Sequence, residues 1–93
     1  MIDITIIWDP DDDPDGNVKH IARHRVTKGE VEEVLRNPRS RTARSRRTGL
    51  PMVFGWTSTG RYLTVIWQED PRDPRTVKPK TAYDVPPPQG RQQ

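Results

Sequence analysis

The sequence predicts an α+β fold: a leading strand, two N-terminal helices, then a curled antiparallel sheet. Three observations carry this expectation. Ile4, Ile6 and Trp8 alternate with Asp3 and Thr5; a capped amphipathic segment begins at Thr27; and two alternating apolar runs, Met52 to Trp56 and Leu63 to Trp67, flank a short turn.

Each element is set by its residues. The leading strand buries one face, with Ile7 a mild break in its alternation. Asp9-Pro-Asp-Asp-Asp-Pro-Asp-Gly16 reads as a loop, with Asp15 as the cap of the first helix. That helix is expected from about Asn17 to Arg23 or His24. At about 100° per residue, Val18, Ile21 and Ala22 share one arc, while His20, Arg23 and His24 lie opposite. In the second helix Thr27 is the N-cap and Glu30 completes a capping box. Val26 and Val31 form a hydrophobic staple. Val31, Val34 and Leu35 make its buried stripe, and Asn37-Pro38 ends it.

The remainder reads as strands. Arg41 to Arg47 is a weak, very basic candidate. Met52, Phe54 and Trp56 alternate with Val53 and Gly55, and Ser58-Thr59-Gly60 turns the chain back into Arg61 to Gln68. Asp70 to Pro74 is a second turn. Thr76 to Asp84 is the last strand, with Lys78 and Lys80 on one face and Val77 and Tyr83 on the other. Pro79 requires an edge position or a bulge. One domain, residues 1–85, is expected, followed by a disordered Pro/Gln-rich tail, residues 86–93.

Composition narrows the function classes. With 93 residues, 30% apolar and 31% charged, the chain supplies one thin core. No apolar run approaches the roughly 18 residues of a membrane span, and the N-terminus does not read as a secretory signal. Cysteine is absent, which excludes disulfides and thiolate zinc sites and fits a cytoplasmic location. Residues 1–38 hold nine acids and five Lys/Arg, whereas residues 39–93 hold four acids and eleven, net −4 against +7. A basic C-terminal half favours an anionic partner, RNA, DNA or an acidic protein; the alternative is a solvated surface.

Trp8-Asp9, Asn17, Lys19-His20, His24, Val26 and the Val31-to-Leu35 stripe, in that order, resemble the BrnT-type toxins. These belong to the RelE-like ribonuclease toxins of type II toxin–antitoxin systems. Phe54-Gly55-Trp56 followed by Ser58-Thr59-Gly60-Arg61 is similar to that family's central hairpin, so the resemblance spans roughly residues 4–84. The chain also departs from the family. Arg25 follows His24 where the family usually has glycine, and Lys78-Pro79-Lys80-Thr81-Ala82-Tyr83 replaces a Ser-Ala-Arg run.

The resemblance implies a RelE-like fold and cleavage of messenger RNA without metal or other cofactor. It also implies a cognate antitoxin as partner, with a homodimer or a toxin–antitoxin hetero-oligomer as the assemblies to consider. In that chemistry the ribose 2′-OH attacks phosphorus. A base takes the 2′ proton, a cation stabilises the phosphorane, and an acid protonates the leaving 5′ oxygen. The catalytic candidates are His24, His20, Arg61, Lys80 and Tyr83; the RNA-contact candidates are Arg41, Arg44, Arg46, Arg47 and Lys78. Lys78 and Lys80 suit phosphate contacts better than proton transfer.

Other readings compete. In the plainest of them the histidines are solvated groups on a charged helix, and Tyr83 is a half-buried strand aromatic. The three tryptophans are expected in the core, with base stacking as the alternative. His20 and His24 have the spacing of a helical zinc pair but lack a third ligand. Asp11, Asp13, Asp15, Gly16 and Val18 match positions of a calcium loop, yet Ala22 stands where the bidentate glutamate belongs. A non-catalytic RNA- or protein-binding module is the main alternative function, and a metal-linked interaction domain the third.

Overall fold

The computed structural model describes residues 3–88. Its elements are β1 (Thr5–Ile6), α1 (Asn17–Ala22), α2 (Lys28–Arg36), β2 (Arg41–Arg44), β3 (Pro51–Trp56), β4 (Tyr62–Asp70) and β5 (Asp73–Asp84). The strands form one sheet in the order β1-β5-β4-β3-β2. Neighbours are antiparallel from β2 to β5, but β1 runs parallel to β5, pairing Thr5 with Thr76 and Ile6 with Val77.

This corrects the expectation of two helices packed on an antiparallel sheet. The sheet is mixed, strands dominate, and the helices are only six and nine residues long. Parallel neighbours need a long connection. Here the chain from the acidic loop to β4 supplies it, so β1 occupies the edge that β5 leaves open.

The start of α2 is set locally. The Thr27 hydroxyl accepts from the Glu30 N–H at 3.2 Å, and the Glu30 carboxylate accepts from the Thr27 N–H at 3.0 Å. Val31, Val34 and Leu35 are buried and meet Val53, Leu63, Val65 and Trp67 across the inner face of the sheet. α2 comes very close to β3 at Gly55, where a Cβ would collide with the Ser40 side chain and press on Val34. That close approach decides which face of β3 turns inward. Val53 and Gly55 are buried, and the larger Met52, Phe54 and Trp56 point to the outer face.

Trp56 is consequently 48% exposed, against the expectation that it packs in the core; Trp67 is buried at 2%. Trp8 is half-buried and donates its indole N–H to Glu32 at 2.8 Å, fastening the segment after β1 to α2.

The β5 strand carries a bulge. Trp67 pairs with Pro79 and Ile66 with Thr81, so Lys80 is the extra residue. The insertion reverses the alternation of the strand. Val77, Pro79 and Ala82 face the core, while Lys78 and Tyr83 share the outer face, correcting the expected grouping of Tyr83 with Val77. β2 ends at Arg44, placing Arg46 and Arg47 in a turn instead of a strand. β4 runs on to Asp70 and β5 starts at Asp73, which shortens the expected second turn.

Among the described residues, no helix is long and apolar enough to cross a membrane. The expected disordered tail lies outside the described residues from 89 onward; Pro86 to Pro88 border the outer face of the sheet.

Candidate active-site cleft

Helix α1 is anchored by Asn17, the most buried polar residue at its start. The Asn17 side-chain amide donates to the carbonyls of Ile7 and Pro79, both at 3.0 Å, and its oxygen accepts from the Asp9 N–H at 2.9 Å. Asp9 in turn accepts from the Asn17 N–H at 2.9 Å. Gly16 is the N-cap and offers no side chain, so Asp9, and not Asp15, satisfies that orphan donor. Asp9 also pairs with Lys78 at 3.2 Å. Its carboxyl is held below the usual range by the Asn17 N–H first and Lys78 second. One polar residue thus locks β1, α1 and the bulge of β5 together.

At its other end α1 stops at Ala22 and turns sharply. Arg25 has φ +61°, and the Val26 N–H reaches back to the Ile21 carbonyl at 3.1 Å. The turn buries Val26 and leaves His24 exposed beside β5. The His24 ring lies 5.7 Å from that of Tyr83, tilted by 53°, and 5.9 Å from that of His20. His24, Tyr83, Arg47 and Asp84 line an open cleft of about 540 Å³. An adjoining cleft of about 310 Å³ is lined by His20, Lys78, Lys80, Asp9 and Asp15 among others. The paired imidazoles sit where the two meet.

Electrostatics differ along this track. His20 is half-buried, and its pKa is lowered first by burial, then by Arg23, His24 and Lys80. It is therefore poised as a neutral imidazole, able to accept a proton. Lys80, Arg46 and Arg47 make no ion pair among the described residues, which leaves their charge available to a phosphate.

Arg61 stands differently. It is bound to Asp84, to Glu30 and to the Arg25 carbonyl, and the Asp84 hydrogen bond leads the effects that raise its pKa. A guanidinium so occupied is a brace beneath the cleft. Arg41 lies on the outer face opposite Phe54, and Arg44 donates to the Gly49 carbonyl at 2.7 Å within its own hairpin. The fold thus brings together His20, His24, Lys78, Lys80, Tyr83 and Arg47, ties Arg61 to Asp84 at the edge of the same cleft, and sets Arg41 and Arg44 apart from them. Asp84 and Asn17 were not among the predicted site residues; Asp84 carries no local signal, since its partner Arg61 is distant in sequence.

The acidic loop is tied partly to α2 and partly to itself. Asp11 pairs with Lys28 at 2.9 Å and Asp13 accepts from the Asp15 N–H at 3.0 Å. Among the described residues, no three His, Cys, Asp or Glu side chains are grouped to hold a metal ion. No family model matches this chain, and neither curated proteins nor solved structures give a match.

Proposed function

We propose that this chain is a metal-independent endoribonuclease that cleaves messenger RNA in the cytoplasm, acting as the toxin of a type II pair and neutralised by a cognate antitoxin. The observation that carries the reading is the meeting of His24, Tyr83 and Arg47 around one open cleft, with His20 and Lys80 alongside. The residue resemblance to BrnT-type toxins supports the biological setting.

The chemistry is within reach of the groups present. An imidazole, His24 or the neutral His20, takes the 2′ proton as the 2′ oxygen bonds to phosphorus. Arg47 and Lys80 stabilise the charge on the phosphorane. The P–O5′ bond breaks, and the Tyr83 hydroxyl or the second imidazole protonates the departing oxygen. The products are a 2′,3′-cyclic phosphate and a 5′-hydroxyl.

The test is incubation of long single-stranded RNA with purified protein in EDTA, with and without ribosomes. Cleavage leaving cyclic phosphate ends is expected, lowered about 10²- to 10⁴-fold in His24→Ala. A wild type that cuts nothing under either condition overturns the enzymatic reading. Salt-sensitive RNA binding without cleavage would then favour the non-catalytic module, which the exposed aromatic face already recommends.

A further inference from the structure

The outer face of the sheet holds a second candidate site. Trp56 and Tyr62 pair across β3 and β4 with ring centroids 4.9 Å apart, and Phe54 and Tyr62 lie nearly parallel, 6.5 Å apart at 19°. These rings, with Arg39, Arg41 and Pro88, line a cleft of about 840 Å³. The residues lining it include no carboxylate, and neither arginine makes an ion pair among the described residues.

We infer that Trp56, Tyr62 and Phe54 form a stacking platform for the bases of single-stranded RNA, with Arg39 and Arg41 holding the flanking phosphates. Three arguments favour RNA over a protein partner. Aromatic rings interleaved with unpaired arginines are what an unstacked base and its phosphate require. The charge is of one sign, as a polyanion demands. The platform also shares a row of the sheet with a catalytic candidate. Arg41, Phe54, Thr64 and Tyr83 pair in sequence across four strands, a row of about 14 Å at the usual strand spacing. Thr64 is fully buried between Phe54 and Tyr83, and the Tyr83 ring lies 5.7 Å from that of His24.

The inference rests on the ribonuclease reading in taking RNA as the ligand, and its test separates the two. Fluorescence anisotropy would track binding of a 2′-O-methylated single strand, which lacks the attacking hydroxyl, and of an abasic strand of equal length. Trp56→Ala should weaken the methylated strand about 5- to 100-fold and leave the abasic strand unaffected, with Trp56→Phe restoring most of the loss. Arg41→Gln should weaken both and reduce the salt dependence. Circular dichroism melts would confirm that each variant is folded. Equal affinity of wild type and Trp56→Ala for the methylated strand overturns the platform and leaves the face to a protein partner, whatever the cleavage assay shows. Stacking loss without any RNA cleavage by the wild type keeps the platform and removes the enzyme.

Discussion

Arg61 grips Asp84 with two parallel hydrogen bonds, Nε to Oδ1 at 3.1 Å and Nη2 to Oδ2 at 2.7 Å. Its remaining nitrogen reaches the Glu30 carboxylate at 2.9 and 3.1 Å and the Arg25 carbonyl at 2.7 Å. One side chain thus joins the start of β4, the end of β5, the first turn of α2 and the turn carrying His24. Arg61→Ala should cost about 1–2 kcal/mol in denaturant unfolding, more than an isolated surface pair, because several charge-assisted bonds go together. Arg61→Lys should recover less than half, since an ammonium cannot make the two-pronged contact. The Asp84 carboxyl is lowered mainly by Arg61. Its contribution is present above the unfolded value of 3.8 and lost as pH falls through the lower folded value. Arg61→Ala should therefore flatten the acid side of the stability curve below that point.

His20 titrates in a different window. Its folded pKa lies below the unfolded 6.5, so the unfolded chain takes up protons first as pH falls. Stability is full above 6.5 and declines as pH drops through the lowered folded value. His20→Asn should make the melting temperature less dependent on pH between the unfolded value of 6.5 and the lowered folded value. Calorimetric melts at fixed ionic strength check this, and equal slopes for the two proteins would refute it.

Arg25 adopts a conformation that glycine takes at no steric cost. Its φ of +61° crowds the Cβ against the backbone, a strain of about 1 kcal/mol that Arg25→Gly removes. The Arg61 contact is to the Arg25 carbonyl and survives the change. Arg25→Gly should raise the melting temperature by roughly 4–8 °C.

Gly55 makes the opposite case. A methyl group there meets Ser40, whose hydroxyl is engaged with the Val34 carbonyl at 2.7 Å. Gly55→Ala should destabilise by about 1–3 kcal/mol through overpacking of α2 against β3. Adding Ser40→Gly should restore part of the loss in a double-mutant cycle.

Gly55 also shows why part of this fold could be read in advance and part could not. The beginning of α2 was readable because Thr27, Glu30, Val26 and Val31 act within one helical turn. The inward set Leu63, Val65 and Trp67 was readable because large apolar residues recur at every second position there. For β3 the alternation was equally clear, yet it does not say which set faces α2. The close approach at Gly55 settles that, and sends Trp56 outward. The parallel edge between β1 and β5 depends on partner choice across most of the chain, which no local pattern encodes. The reversal at Lys80 turns on one inserted residue. Within the site, His20 and His24 were marked by the polar side of the expected helix, although α1 ends at Ala22 and His24 lies in the turn beyond it. The selection of Arg47 from among several arginines is a matter of tertiary contact, and the diversion of Arg61 rests on partners 23 and 31 residues away.

The bulge at Lys80 has a consequence for how this strand can change in length. Lys80 is the unpaired extra residue, so deleting it alone would leave Thr81, Ala82 and Tyr83 opposite Ile66, Val65 and Thr64, on the faces they now hold. Deleting a second residue would find no such slack. The side chains beyond it would change faces, and Asp84 would be drawn away from Arg61. In this stretch of chain one residue can be lost without moving the aromatic lip of the cleft, and two cannot.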